Sequence, residues 1–281
     1  MSPRPGGFAL ISVLLVMSLA LLITAGLLRS HHRLLQSSGQ QVQQIDLRQL
    51  AFGAETRALM VLQVQSSNKT VDRTQEWARL TFDFDSEDAQ VRVDIDDLGG
   101  RFNLNSLLVA GQIDQVTLNR WERLQASLDL APLQLRQVGA LRELSQLRLL
   151  PGVDDQRLRE LEPWVALLPI EAALNINTAP ALVLSILGDV NAATADSLVR
   201  QASSSAWGSV QAFTQDPLIS GLGLSSHGLG ITSRWFRITV EVTQGGRVLR
   251  LVTDVERDAK TQQWKVLQRC FLSAIANEVQ Q

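Results

Sequence analysis

No charged residue interrupts the chain from Phe8 to Leu28. As a helix that run is about 32 Å long at 1.5 Å per residue, close to the hydrocarbon thickness of a bilayer. A soluble core helix is rarely apolar on every face for so long. The run therefore predicts a membrane span, and no second run of its kind follows. Helical periodicity continues past it. Ile45, Phe52 and Leu59 recur every seven residues, and Leu35 and Val42 repeat the interval among Gln-rich and charged neighbours. The pattern predicts one helix from about Phe8 to about Gln65. Its first half would lie in lipid, and its second half would lay one stripe on a globular domain. Gly39 and Gly53 each weaken or bend such a helix by about 1 kcal/mol relative to Ala.

Beyond a polar loop at Ser66–Asp72 the period changes to two. Leu80, Phe82 and Phe84 alternate with polar residues, as do Val91, Val93 and Ile95, which predicts a hairpin turning at Ser86–Asp88 and ending at Gly99-Gly100. From Asn103 to Pro217 the period is helical again. The pieces "LNRWERLQASL", "LQLRQVGALREL", "DQRLRELEPWVALL" and "PALVLSILG" are short and amphipathic, divided by Pro and Gly. Alternation returns with Phe236, Ile238, Val240 and Val242. A tight turn at Gln244-Gly245-Gly246 and two further strands, "RVLRLVTDVER" and "WKVLQRCFL", follow. The class is α+β: a long N-terminal helix packed on an antiparallel sheet that an inserted helical domain interrupts. The segments are 1–7 as a leader, 8–65 as the helix, 66–102 with 218–281 as the sheet, and 103–217 as the insertion.

Composition narrows the chemistry. The 281 residues carry a formal net charge of −2, which gives no electrostatic argument for nucleic acid as a partner. Cys270 is the sole cysteine, so there is no intramolecular disulfide framework or cysteine metal site, and the thiol reads as a half-buried strand residue. The histidines, His31, His32 and His227, have no nucleophile or zinc pattern beside them, and no phosphate-cradling glycine loop occurs. The chain is expected not to be an enzyme. Asp83, Asp85, Glu87 and Asp88, then Asp94, Asp96 and Asp97, form acidic clusters. They read first as a solvated strand edge. Calcium, which takes six to eight oxygens, fits the composition, but no EF-hand spacing assigns it to residues.

In "NLNSL", Asn103–Leu107, Asn and Ser suit helix N-caps, and in "LNINTAPALVLSIL" Asn177 or Thr178 is expected to cap a helix with Pro180 in its first turn. Pro151-Gly152-Val153 predicts the turn of a helix-hairpin-helix-like unit. Such hairpins often hold DNA phosphates, but Asp154 and Asp155 directly follow the glycine and would repel them. A structural or protein-binding role is expected instead.

At the N-terminus, Gly6-Gly7 precedes "FALISVLLV", and small residues in front of the apolar run do not make an ordinary secretory signal. This arrangement resembles a prepilin-type signal. "GRFNLNSL", with Arg101, Phe102, Asn103 and Asn105, and "LNINTAP", with Asn175, Asn177, Thr178 and Pro180, resemble the two most recognisable motifs of the general secretion pathway protein K family. These are the large minor pseudopilins of type II secretion systems. The order of leader, long helix, strands, inserted helices and closing strands is similar over nearly the whole chain. The resemblance implies cleavage between Gly7 and Phe8, N-methylation of Phe8, a single pass through the bacterial inner membrane and a periplasmic C-terminal domain. That topology overrides the Lys and Arg count around the span, Arg4 against Arg29 and Arg33, which leans the other way. It also implies the partners: prepilin peptidase, the I- and J-type minor pseudopilins and the major pseudopilin, with secreted substrates or the outer-membrane secretin as further candidates. The acidic stretch and longer insertion usual in the family's helical domain are missing here, so its calcium sites transfer to no residue of this chain.

Ser12 would be the fifth mature residue, where most pseudopilins resemble one another in carrying Glu. A carboxylate in lipid costs at least a few kcal/mol unless paired. In a fibre it pairs with the terminal ammonium of the subunit above. A subunit with nothing above it gains nothing from that charge, and a serine can bond its own helix. Ser12 thus fits a tip position, and the family resembles this chain in lacking Glu. Two other readings stay open: a membrane-tethered competence-type DNA receptor with a helix-hairpin-helix domain, and a minor pilin of a type IV pilus.

Overall fold

The computed structural model describes residues 6–64, 69–79, 84–86, 89–109, 111–133 and 141–273. Within its helices and strands, the side chains of 6–12, 30–40, 84–86 and 273 lie outside the description. The chain divides into two compact units, Met1–Leu50 and Ala51–Gln281.

Helix α1 runs from Gly6 to Val64. In the first unit, its large apolar side chains from Val13 to Leu28 are each 54–71% exposed. Ser18 and Thr24 donate their hydroxyls to carbonyls of their own helix, Leu14 and Ala20. Among the described residues no helix is long and apolar enough to cross a membrane. The start of the Phe8–Leu28 run, with Phe8 and Ser12, has its side chains outside that description.

In the second unit the heptad of Ile45, Phe52 and Leu59 does not supply the buried stripe. From Ala51 onward α1 buries Ala51, Ala54, Ala58 and Leu62, with Glu55, whereas Phe52 is 37% exposed. The spacing of three, four and four keeps one helical face. Small side chains let a helix lie close to a sheet, and alanine is invisible to a search for large apolar residues. Glu55 is paired at 3.0 Å with Arg269, and Phe52 meets the Phe271 ring edge-on.

The sheet is antiparallel and five-stranded. Helix α2 (Glu76–Arg79) precedes β1 (Phe84–Ser86) and β2 (Ala89–Asp97). The predicted strand start at Leu80–Phe82, residues 87 and 88 of the predicted Ser86–Asp88 turn and the first acidic cluster lie outside the described residues, Asp85 and Ser86 contributing backbone only. Along β2 burial alternates strictly, with Ala89, Val91, Val93, Ile95 and Asp97 inward. The closing strands are β9 (Trp235–Gln244), β10 (Arg247–Arg257) and β11 (Trp264–Ser273), and the order is β1-β2-β9-β10-β11. Phe236, Ile238, Val240 and Val242 are buried as the period required. Gly245 and Gly246 join β9 to β10 at φ +56 and +74, the left-handed pair that a two-residue hairpin loop demands.

Between β2 and β9 in sequence lie the short elements. They are β3 (Phe102–Asn103), β4 (Leu108–Val109), β5 (Gln112–Ile113), α3 (Gln115–Ser127), α4 (Asp155–Leu161), β6 (Val165–Ala166), β7 (Leu174–Asn175), α5 (Ala181–Ser185), α6 (Ala192–Ser204), α7 (Val210–Thr214) and β8 (Leu229–Gly230). Apolar clusters hold them, two of them large, with a smaller one of Leu98, Ala166, Leu168, Ala172 and Trp235. One large cluster centres on Trp121, Leu124, Leu147 and Leu161. The other centres on Ile176, Leu184, Leu198 and Phe213. Most of the predicted helix "LQLRQVGALREL", 134–140, lies outside the described residues. Its described end enters a 3-10 helix at Leu144–Leu149. The helix predicted through "EPWVALL" stops at Leu161, because Pro163 cannot donate to continue it, and Val165–Ala166 instead pairs in parallel with Phe102–Asn103.

Candidate functional site

The two asparagine-rich motifs meet where the inserted helices join the sheet, and the centre of their meeting is Asp97. Alternation along β2 turns this residue to the buried side. There its Oδ1 accepts from the Gly99 N–H at 2.7 Å. Its Oδ2 accepts from Asn175 Nδ2 at 2.8 Å and from Thr178 Oγ1 at 2.6 Å. Ser233 is a further hydrogen-bonding neighbour of the carboxyl. Burial pushes this carboxyl above its ordinary range, while the bonds from Ser233, Thr178, Asn175 and Gly99 pull it back. Asp97 is therefore no part of a solvated strand edge. Asp94 and Asp96 do face outward, Asp94 toward Arg92 at 3.2 Å.

Gly100 brings the motifs into backbone contact. A Cβ there would stand 2.8 Å from Thr178 Oγ1 and 2.9 Å from the Thr178 carbonyl carbon and oxygen, so only hydrogen fits. A Cβ on Gly99 would meet Ser233 Oγ at 2.5 Å. Arg73 closes the same junction from the loop before α2, donating from Nη2 to the Thr178 carbonyl at 2.6 Å.

Each asparagine of the motifs uses both ends of its amide. Asn103 caps a 3-10 turn by accepting from Asn105 N–H, accepts also from Leu168 N–H, and donates to the Pro169 carbonyl. Asn105 donates to the carbonyls of Leu141 and Leu168 and accepts from Leu141 N–H at 2.8 Å. Asn175 donates to Asp97 and to the Val71 carbonyl, and accepts from Asn177 N–H. Asn177 forms a two-bond clasp with the Trp207 backbone, 3.1 and 2.9 Å. A primary amide carries the donor and acceptor of a peptide group, so it can stitch loops that no sheet ladder reaches.

The expected capping role holds for Asn103 but not for the second motif. The N-cap of α5 is Pro180, with no side-chain bond, because Asn177 and Thr178 are turned toward Trp207 and Asp97. Phe102 stacks on Trp121 with centroids 5.9 Å apart. Arg101 donates to the Glu162 carbonyl at 3.0 Å and lies 3.7 Å from Asp96. Beside it Arg237 holds Asp254 at 2.7 Å and Glu162 at 3.5 Å. At the hairpin, Gly152 takes φ +80 in the turn, Asp154 caps α4 and Asp155 pairs with Arg148 at 2.6 Å. Gly7, Phe8 and Ser12 fall on α1, remote in sequence from this junction, with their surroundings outside the described residues.

In the sequence Asp97 stands out only as a member of an acidic cluster, and Arg73 and Ser233 do not stand out at all. For Asp97 the signal existed: it continues the inward series Val91, Val93, Ile95. Arg73 and Ser233 sit in loops, where no period marks an inward residue. The Thr178 and Ser233 hydroxyls serve Asp97 as buried donors. Among the described residues no group of three or more His, Cys, Asp or Glu side chains could hold a metal ion. The arrangement is a rigid joint of neutral amides around one buried carboxyl.

The profile of the family "Type II secretion system (T2SS), protein K" matches residues 174–232, which contain the second motif and α5–α7. The chain is 27% identical to type II secretion system protein K of Pseudomonas aeruginosa, over 89% of this chain and 88% of the relative. It is 24% identical to that of Klebsiella pneumoniae, over 96% and 98%. Its fold is similar, at a TM-score of 0.70 and 20% identity, to a chain in the crystal structure of the GspK-GspI-GspJ complex from the enterotoxigenic Escherichia coli type 2 secretion system. That match covers 85% of this chain and all of the other.

Proposed function

We propose that this chain is a protein K-type minor pseudopilin of a type II secretion system, a structural part of the export machinery rather than an enzyme. The observation that carries the reading is the extent of the likeness, which spans 89–96% of the chain against protein K of Pseudomonas aeruginosa and Klebsiella pneumoniae. The resemblance first read from two short motifs and a leader thus extends over strands and helices alike.

The finer reading follows the family. Prepilin peptidase cuts between Gly7 and Phe8, and Phe8 becomes the methylated terminus. The run from Phe8 to Leu28 anchors the chain in the bacterial inner membrane, with the C-terminal domain in the periplasm. Two features of α1 support the anchor: its apolar side chains from Val13 to Leu28 lie open, and the hydroxyls of Ser18 and Thr24 are satisfied on their own helix, as lipid requires. The subunit sits at the pseudopilus tip with I- and J-type partners above the major pseudopilin, and Ser12 supports the tip position. The inserted helices face outward, toward secreted substrate or the secretin. No cofactor enters this reading. The DNA-receptor alternative loses ground at the hairpin, where Asp154 and Asp155 follow the turn glycine and would repel phosphate, Asp154 capping α4 and Asp155 pairing with Arg148.

Co-expression of the full-length chain with I- and J-type pseudopilins in a heterologous host tests the reading. A detergent-stable complex containing both is expected. A well-folded chain that captures neither contradicts it.

A further inference from the structure

A cavity of about 360 Å³ opens beside the Asp97 junction, and motif residues Gly100, Arg101, Thr178 and Pro180 form part of its wall. Two guanidiniums line it. Among the described residues Arg73 makes one hydrogen bond, to the Thr178 carbonyl, and its Nε and Nη1 make none. Arg101 bonds the Glu162 carbonyl and reaches Asp96 only at 3.7 Å. Both arginines are partly desolvated, and burial holds each guanidinium below its usual range. Their short hydrogen bonds go to carbonyls, while the carboxylates of Asp96 and Asp97 near Arg73, and of Asp96, Glu162 and Asp254 near Arg101, offset their charge without a short bond to either guanidinium. Asp97 also lines the cavity and, with Asp96, acts on Arg73 through its charge, but its hydrogen bonds go to Gly99, Asn175 and Thr178 rather than to the guanidinium. Trp77, Trp164, Pro163 and Pro180 provide flat apolar walls around these donors.

From this geometry we infer that the cavity is a recognition site for a carboxylate, accepted by Arg73 and Arg101. This goes beyond the pseudopilin reading and does not rest on it. The planar guanidinium fork matches a carboxylate in two parallel bonds, and a low-dielectric wall strengthens them. Asp96 at the rim opposes entry and competes for Arg101, so it sets how tightly the site binds. The carboxylate can come from an acidic side chain of another protein or from a small organic acid.

The test uses the full-length chain in detergent micelles, with the Arg73 Nε–H and the Trp77 and Trp164 indole N–H followed by nitrogen–proton correlation spectra. The probes are N-acetylated, C-amidated Gly-Glu-Gly, its Gly-Gln-Gly counterpart, and free acetate. Saturable shifts are expected with Gly-Glu-Gly and none with Gly-Gln-Gly. Arg73→Lys should weaken binding by about tenfold or more. Asp96→Asn should tighten it by roughly threefold. Arg73 also braces the junction, so Ala78→Trp, which fills the cavity from its wall without touching the Asp97 bonds, serves as the second variant and should abolish the shifts. Tighter binding of the peptide than of acetate assigns a protein carboxylate, and equal binding assigns a small acid. Shifts from Gly-Gln-Gly as large as from Gly-Glu-Gly, no shift from either carboxylate at millimolar concentration, or unaltered binding in Ala78→Trp would overturn the inference.

Discussion

At the scale of residues, the junction depends on groups that cannot reverse their polarity. Gly99 N–H and Asn175 Nδ2 are obligate donors, one facing each oxygen of Asp97. In Asp97→Asn one of those oxygens becomes an amide nitrogen, and whichever way the amide turns, one buried donor loses its acceptor. The expected loss is about 1–3 kcal/mol in thermal or denaturant unfolding. The pH dependence has a definite sign. Burial raises the folded-state pKa of Asp97, so the folded chain holds this proton more tightly than the unfolded chain does. The stabilising contribution of that titration is present below the unfolded value of about 3.9. It is lost as pH rises through the higher folded value. The stability advantage of wild type over Asp97→Asn should therefore shrink as pH rises through that window and then level off; an advantage that grows would contradict it. Gly100→Ala tests the backbone contact separately. Its Cβ would press on the Thr178 main chain, which cannot rotate away as a side chain could, and a loss of about 1–3 kcal/mol is expected.

At the scale of elements, the closing strands and the inward faces of β2 and β9 were legible, because a period of two is enforced by burial of one face. The stripe of α1 was not. Ile45, Phe52 and Leu59 drew attention by size, but the helix packs through Ala51, Ala54 and Ala58, whose value lies in being small. Two consequences separate these faces. Ala58→Leu should destabilise the domain by about 1–3 kcal/mol, measured by urea unfolding, because a fully buried site has no room for the added atoms. Met60→Ser, at a side chain 63% exposed, should leave unfolding within about 0.5 kcal/mol of wild type. The proposed pseudopilin role adds a second readout: with this face as a packing surface, the same Met60→Ser chain should be recovered in lower yield with I- and J-type partners. Among the short helices, α3, α4 and α5 form where the spacing predicts, and the departures have a different reason. Pro163 and the 3-10 turn at Leu144–Leu149 end or tighten segments whose apolar spacing alone fits an α-helix. The motifs were visible as strings, but their role was not. Asparagine reads locally as a cap, whereas Asn105, Asn175 and Asn177 bond across 30 to more than 100 residues of sequence.

At the scale of the whole molecule, the chain combines a helix with an open apolar segment and a domain braced by polar contacts at one internal joint. The central claim is that the chain is processed and assembled as a pseudopilin. It is tested most directly by the mass of the N-terminal peptide from chain extracted from membranes of a host carrying prepilin peptidase. The account predicts loss of Met1–Gly7 and gain of one methyl on Phe8. An intact leader, or a terminus beyond Leu28, would contradict it.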